Sequence, residues 1–299
     1  MNFEDMNTTG RSPVTVLGMG PMGQALARAF LKNGHPTTIW NRTAGKADAL
    51  IEEGAVWANS VHDAIAASPL VIICVLDYDA VHAILDPVGN QLKGHTLVNL
   101  TADTPKRARE MAAWAASHGA DYLDGAIMTP TTTIGHSTAV VLYSGPITVY
   151  KSHKASLASI GGTSTHLGTD PGRAAAFDVS LLDIFWTAMT GYVHALALAK
   201  AEHIAARDLL PYAKGIVDIL PDIMEYMADE VDSGSYPGDS SNLISAAAGM
   251  EHIIHAAKHH GIDVSVLSSA KAIAQRAIDA DHGTDGFSRL TETLVNPSV

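Results

Sequence analysis

The sequence predicts an α/β protein in two parts, with a doubly wound parallel sheet first, an all-α part second, and one long helix between them. Three observations predict this. Short apolar segments alternate with helical segments of roughly 10–15 residues from Pro13 to about Asp124. A Gly-x-Gly-x-x-Gly pattern joins the first strand to the first helix. Gly172 to Ala205 then runs without a proline and with one internal glycine, Gly191, and only helical patterns follow it.

In order, Val14–Leu17 is a strand and Met22–Lys32 carries helical spacing; Thr37–Trp40 is a second strand and Gly45–Glu53 a second helix. Leu70–Leu76 and Thr96–Leu100 read as strands, with helices over Ala80–Leu85 and Pro105–His118. Tyr122–Leu123 and Thr138–Tyr143 read as further strands, Ile147–Ala158 as a helix and Thr163–Leu167 as a last strand. Such alternation predicts a parallel sheet covered on both faces. At ~1.5 Å per residue the Gly172–Ala205 helix would span roughly 50 Å, more than a small domain is wide. Helices over Leu209–Val231 (kinked at Pro221), Ser241–His260 and Ser265–Ala280 complete the chain, broken by the loop Asp232–Asp239 with Gly234, Pro237 and Gly238. The expected domains are 12–170 and 171–299. Leu243–Ala248 is almost wholly small or apolar, more than a thin helical unit can hide, so a homodimer is expected.

The 31 acidic and 19 basic residues give a formal charge of −12, which argues against a nucleic-acid surface. Any phosphate must be held locally. Cys74 is the single cysteine, so neither an intramolecular disulfide nor a cysteine metal cluster is possible, and in its apolar run it reads as a small buried hydrophobe. His252, His255 and His259 have a spacing that one helix face could offer a metal, but no carboxylate or cysteine completes a motif, and no metal is expected. No uninterrupted apolar run reaches the ~18 residues of a membrane span, and the polar stretch Met1–Ser12 has no signal-peptide core. The expectation is a cytoplasmic protein without membrane or nucleic-acid partners.

In Gly18-Met19-Gly20-Pro21-Met22-Gly23, Gly18 permits the tight turn, Gly20 lets a pyrophosphate approach the backbone, and Gly23 lets helix and strand pack closely. The phosphates then meet free N–H groups at the positive end of the helix. This is the fingerprint of a Rossmann domain. NAD-binding versions usually place a carboxylate about 20 residues on, for the ribose 2′-hydroxyl. Here Asn41-Arg42-Thr43, followed by Lys46, offers donors and two positive charges instead. An arginine fork suits a phosphate, so the expected cofactor is NADP(H). Val75, Leu76, Asn99 and Thr101, at the ends of two further strands, are expected to complete the site.

From Pro13 to about Leu294 this layout resembles the β-hydroxyacid dehydrogenase superfamily. Those hydroxyacid enzymes carry a catalytic lysine six residues after the first glycine of a Gly-x-Gly stretch, and counting six from Gly172 reaches Asp178. Ala174 replaces the second glycine, and Asp124–Pro130 lacks the family's Ser-Gly-Gly loop for a substrate carboxylate. The chain is similar instead to the imine reductase and reductive aminase family, in Gly18–Gly23, Asn41-Arg42-Thr43, Val98–Thr101, Leu142–Gly145, Leu167–Asp170 and Ser241-Asn242-Leu243. That family commonly has Asp or Tyr at the former lysine position.

The resemblance implies NADPH-dependent reduction of imines, cyclic imines and those formed from a ketone and an amine, with Asp178 as proton donor or iminium anchor. A carboxylate attracts an iminium that an ammonium would repel, and a desolvated carboxyl could donate the proton. The neighbours of Asp178 are mostly apolar; Asp183, five residues on, projects roughly 140° away, so the two are not expected to work as a pair. Phe185 and Trp186, about two turns on, could wall a substrate pocket together with Met128, and each reads equally well as core. A 3-hydroxyacid dehydrogenase-like oxidoreductase and a non-catalytic NADPH-binding sensor stay open as alternatives.

Overall fold

A computed structural model describes residues 11–43, 45 and 47–296. Lys46, expected to help hold a phosphate, lies outside them.

The chain divides into two compact units, 1–185 and 186–299. The first is built on an eight-stranded sheet of β1 (Val14–Leu17), β2 (Thr37–Trp40), β3 (Val56–Trp57), β4 (Leu70–Ile73), β5 (Thr96–Asn99), β6 (Asp121–Ile127), β7 (Val140–Ser144) and β8 (Thr163–His166). Its order is β3-β2-β1-β4-β5-β6-β7-β8, so the winding reverses between β1 and β4, where such sheets open a ligand crevice. The central strands β1 and β4 are buried at every position, as strands covered on both faces must be. On one face α1 (Pro21–Lys32) and α6 (Ile147–Leu157) pack Leu26, Phe30, Val149 and Leu157 against Val14, Val16, Ile72 and Val98. On the other, α3 (Val61–Ala66), α4 (Tyr78–Leu85) and α5 (Pro105–Ser117) pack Ile65, Val81, Leu85 and Met111 against Leu17, Val71, Ile73 and Leu97.

The sheet is not wholly parallel: β6 and β7 pair antiparallel. Their connection, residues 128–139, contains only a single short helical turn. A parallel return needs a crossover of a dozen or more residues, usually a helix, whereas an antiparallel one does not. The alternation of sequence periods cannot show that difference. β3 and α3 were not expected either; two strand residues, Val56 and Trp57, are too short to show a period.

α7 (Arg173–Ala201) begins in the first unit and continues into the second. It is shorter than its sequence pattern because His203 adopts φ +60, while Ile204 N–H turns back to Ala199 O at 2.8 Å, a left-handed helix stop. Although no strictly apolar run reaches membrane length, α7 is long and apolar enough on average to do so, with mean hydropathy 1.3. Its surface exposes Ile184, Phe185, Trp186, Met189 and Val193.

The second unit holds α8 (Ala206–Asp218), α9 (Leu220–Ser233), α10 (Leu243–His259), α11 (Ser265–Ala277) and α12 (Leu290–Val295). The expected single kinked helix is thus two, with Pro221 in the first turn of α9, where its missing N–H costs nothing. A small core of Leu243, Ala247, Ala274, Ala277 and Leu290 joins α10, α11 and α12. Neither α8 nor α9 contains a buried residue.

Candidate active site: a nucleotide cleft and a buried carboxyl pair

The glycine turn is shaped by contacts that no larger residue could keep. Gly18 has φ +101, and a Cβ there would stand 2.1 Å from Cys74 O; one at Gly23 would stand 1.9 Å from Gly18 O. At Gly20 a Cβ would meet nothing within 4 Å, so this glycine faces the opening. Gly20 caps α1 and Pro21 sets its first turn. A cleft of about 940 Å3 lies before this helix end, lined by Gly18, Gly20, Pro21, Met22 and Gly23, by Asn41, Arg42 and Thr43, and by Val75 and Leu76. That volume is in the range that holds cofactor-sized ligands.

Two of the expected cofactor residues serve the turn itself. Met19 is fully buried, and its N–H donates to Asn41 Oδ1 at 3.1 Å. Asn41 Nδ2 in turn donates to Thr43 O at 2.9 Å. Arg42 is exposed beside them and has no ion pair among the described residues. Two carboxylates also line the cleft. Asp77 is occupied as the cap of α4, accepting from Ala80 N–H at 2.8 Å, and Asp79 is paired with Arg107. Among the described residues that line the cleft, Arg42 carries the one uncommitted charge, and its positive sign suits a phosphate on the adenosine ribose.

Asn99 and Thr101 do not line the cleft directly. Thr101 Oγ1 accepts from Val75 N–H at 3.1 Å, Asn99 Oδ1 accepts from Thr101 N–H at 3.1 Å, and Asn99 Nδ2 donates to the Tyr122 hydroxyl at 3.3 Å. They tie the cleft wall at Val75 to the interior of the sheet.

The first turn of α7 is fixed by side chains that satisfy its free N–H groups. Asp170, gripped by Arg109 at 2.7 and 2.9 Å, accepts from Gly172 N–H at 3.0 Å. Ser144 Oγ accepts from Ala174 N–H at 2.9 Å and donates to Pro171 O at 2.9 Å. This anchoring positions Asp178, which is 5% exposed; burial raises its proton affinity above that of an ordinary carboxyl. Asp183 is exposed. Met128 packs against the cluster of Ala126, Leu142 and Ala174, the last one turn before Asp178. Phe185 and Trp186 are exposed on α7, at 51% and 63%.

The sequence reading assigned no role to Asp124. It is 2% exposed on β6, and its Oδ1 accepts from the Tyr78 hydroxyl at 2.6 Å and the Tyr122 hydroxyl at 3.2 Å. Desolvation outweighs these donors and the facing Ala175 N–H, lifting its pKa to about 7, with a further push from the charge of Asp178. The available signal was a carboxylate inside the strand segment Tyr122-Leu123-Asp124-Gly125-Ala126, where a buried acid requires a partner. The histidines of α10 belong to the helix surface, His255 pairing with Glu251 at 2.8 Å. Among the described residues no group of three His, Cys, Asp or Glu side chains could hold a metal.

Fold and cleft together define a dinucleotide-binding protein, with buried carboxyls at Asp124 and Asp178. Residues 13–168 match the family profile of the NAD-binding domain of 6-phosphogluconate dehydrogenase, and residues 170–296 that of the NADPH-dependent reductive aminase-like C-terminal domain. The chain is 36% identical over 283 residues to an NADPH-dependent reductive aminase of Aspergillus oryzae, covering 93% of this chain and 96% of that one. An imine reductase structure from Bacillus cereus matches with TM-score 0.88 and 40% identity, covering 96% of this chain and 100% of that one. A reductive aminase from Aspergillus terreus, in complex with NADPH4, cyclohexanone and allyl amine, matches with TM-score 0.89 and 36% identity over 95% of this chain and 99% of its own. The chain belongs to the imine reductase and reductive aminase family.

Proposed function

We propose that this chain reduces imines, including imines formed from a ketone and an amine, with NADPH as the reductant. The observation that carries this reading is a buried carboxyl, Asp178, on the first turns of α7, in a helix whose lysine and arginine residues stand at its ends, Lys200 and Arg173. When bound, NADPH supplies a hydride to the C=N carbon. With Gly18 and Gly23 shaping the turn, Gly20 would admit its pyrophosphate and Arg42 would hold its 2′-phosphate. As hydride reaches carbon, the C=N electron pair passes to nitrogen, which must carry a proton. Asp178 provides for that proton: the acid with a neutral imine, or the carboxylate with an iminium, gives the same ion pair. In a water-poor site that pair is stabilised far more than in bulk. The products are the amine and NADP+. In this reading residues 12–170 form the cofactor domain and 171–299 the helical substrate and dimer domain, with Met128, Phe185 and Trp186 offering apolar substrate contacts.

The test mixes the protein, NADPH and 2-methyl-1-pyrroline, then cyclohexanone with allyl amine, and follows absorbance of the reduced nicotinamide. Consumption that requires the imine or both carbonyl and amine is expected; none across several cyclic imines removes the reading. The ion pair needs one proton, so kcat/KM for the imine should fall as pH rises above neutrality. A pH profile from 5 to 10 checks this, and a rate that keeps rising through pH 9 contradicts it.

We further propose a cytoplasmic homodimer. α8 and α9 are amphipathic, expose Tyr212, Ile216, Met224 and Tyr226, and bury nothing within the chain. Helices of this length gain most of their stability from packing, and a second copy supplies the missing face. Sedimentation should give about twice the 31.4 kDa chain mass, whereas a monomer at micromolar concentration would refute it.

A further inference from the structure

Asp124 is a buried acid for which hydride transfer as just described has no use. A neutral residue would fill β6 without the cost of desolvating a carboxyl. Its surroundings are nevertheless built around it. The Tyr78 hydroxyl reaches it from α4 and the Tyr122 hydroxyl from its own strand. Asn99 on β5 supports Tyr122, and through Thr101 the hydrogen bonds continue to Val75 in the cleft wall. From α7 it faces the Ala175 N–H and the charge of Asp178, three residues further along the same side of the helix. Its antiparallel neighbour on β7, Ser144, is neutral and engaged with Pro171 and Ala174.

We propose that Asp124 is a positioning residue for Asp178: the two carboxyls act as one electrostatic unit, and the charge of Asp124 strengthens the hold of Asp178 on its proton or cation. This rests on the role given to Asp178 above. Two carboxyls in one dry site cannot ionise independently. As Asp124 ionises, Asp178 becomes more basic and an iminium beside it is held by two negative charges instead of one. Tyr78 and Tyr122 oppose the desolvation of Asp124, so that its charge appears near neutrality and not far above it. The effect acts through Asp178 and requires no contact of Asp124 with substrate.

Infrared titration of the full-length protein with NADP+ bound reads the coupling without turnover. Ordinary carboxyls lose their proton near pH 4, so protonated-carboxyl bands that persist above that range belong to the two buried acids, and the one that survives in Asp178→Asn is assigned to Asp124. Asp178→Asn should move the midpoint of that band down by about half to one pH unit, because a like charge has been removed. Tyr78→Phe should move it up, because a donor to the carboxylate is lost. A midpoint unmoved by Asp178→Asn overturns the proposal. In turnover, Asp124→Asn should shift the alkaline limb of the imine kcat/KM profile to lower pH by about one unit while leaving NADPH affinity unchanged. A superimposable profile from a folded Asp124→Asn protein also overturns it. Should Asp124→Asn not fold, Tyr78→Phe and Asp178→Asn still decide the question by infrared. If the wild-type protein reduces no imine at any pH, the assigned function fails, and the infrared shifts report on the pair alone.

Discussion

Asp178→Asn should lower kcat for imine reduction by about 10²–10⁴-fold, the range of a positioned proton-transfer group, with the Kd for NADPH within about twofold of wild type. The asparagine keeps the size of a side chain that is 5% exposed, so it leaves no cavity. It removes both the proton and the negative charge that would face an iminium. Because burial raises the proton affinity of Asp178 in the fold, its ionisation is penalised in the native state relative to the unfolded chain. That contribution to stability is complete below the unfolded carboxyl pKa and is lost as pH rises through the folded value. The variant should therefore hold its Tm or gain relative to wild type at pH 8, while losing activity. Single-turnover measurement of hydride transfer with 2-methyl-1-pyrroline gives the first quantity and thermal melts at pH 5 and pH 8 the second. Undiminished single-turnover rates would remove Asp178 from the mechanism; a large Tm loss at pH 8 would mean its charge is structural.

What the sequence reveals of this protein follows the range over which each feature acts. The glycine turn is local: six residues between a strand and a helix impose it, and the close approaches of Gly18 to Cys74 and of Gly23 to Gly18 give its reason. Arg42 is local too, since it lies at the end of β2. Asp178 was visible through its count from Gly172 and its apolar neighbours, both properties of one helix. Asp124 was not visible in this way. Its hydrogen-bond donor Tyr78, its cross-strand neighbour Asn99 and the charge of Asp178 come from α4, β5 and α7, and are brought to it only by the order of β4, β5 and β6 in the sheet. The antiparallel turn of β7 escaped for a related reason: strand direction depends on what the connection between β6 and β7 packs against, and periodicity carries no direction. Likewise Asn41 looked like a phosphate donor in a line of donors, yet its side chain joins Met19 to Thr43 across the turn. Sequence showed the residue types available to the cleft, and folding decided which of them are already spoken for.

That distinction makes Arg42 the sharpest test of cofactor choice. Arg42→Ala should raise the KM for NADPH by about 10–100-fold, as expected for loss of charge-assisted hydrogen bonds to a phosphate, and should leave the KM for NADH nearly unchanged. The 2′-phosphate is remote from the transferred hydride, so its binding is equal in ground and transition states and kcat should change little. Salt provides an independent reading. An exposed guanidinium acting on a phosphate is screened, so the NADPH KM of wild type should climb with ionic strength and that of the variant should climb less. Asn41→Asp acts from the other side. The aspartate retains the oxygen that accepts the Met19 N–H, so the turn is kept, but it places a negative charge where NAD-binding folds use one for the ribose hydroxyl. The double variant should therefore prefer NADH. Equal NADPH KM values for wild type and Arg42→Ala would show that the phosphate does not sit at the end of β2, and the assignment of the cleft's polarity would have to be reversed.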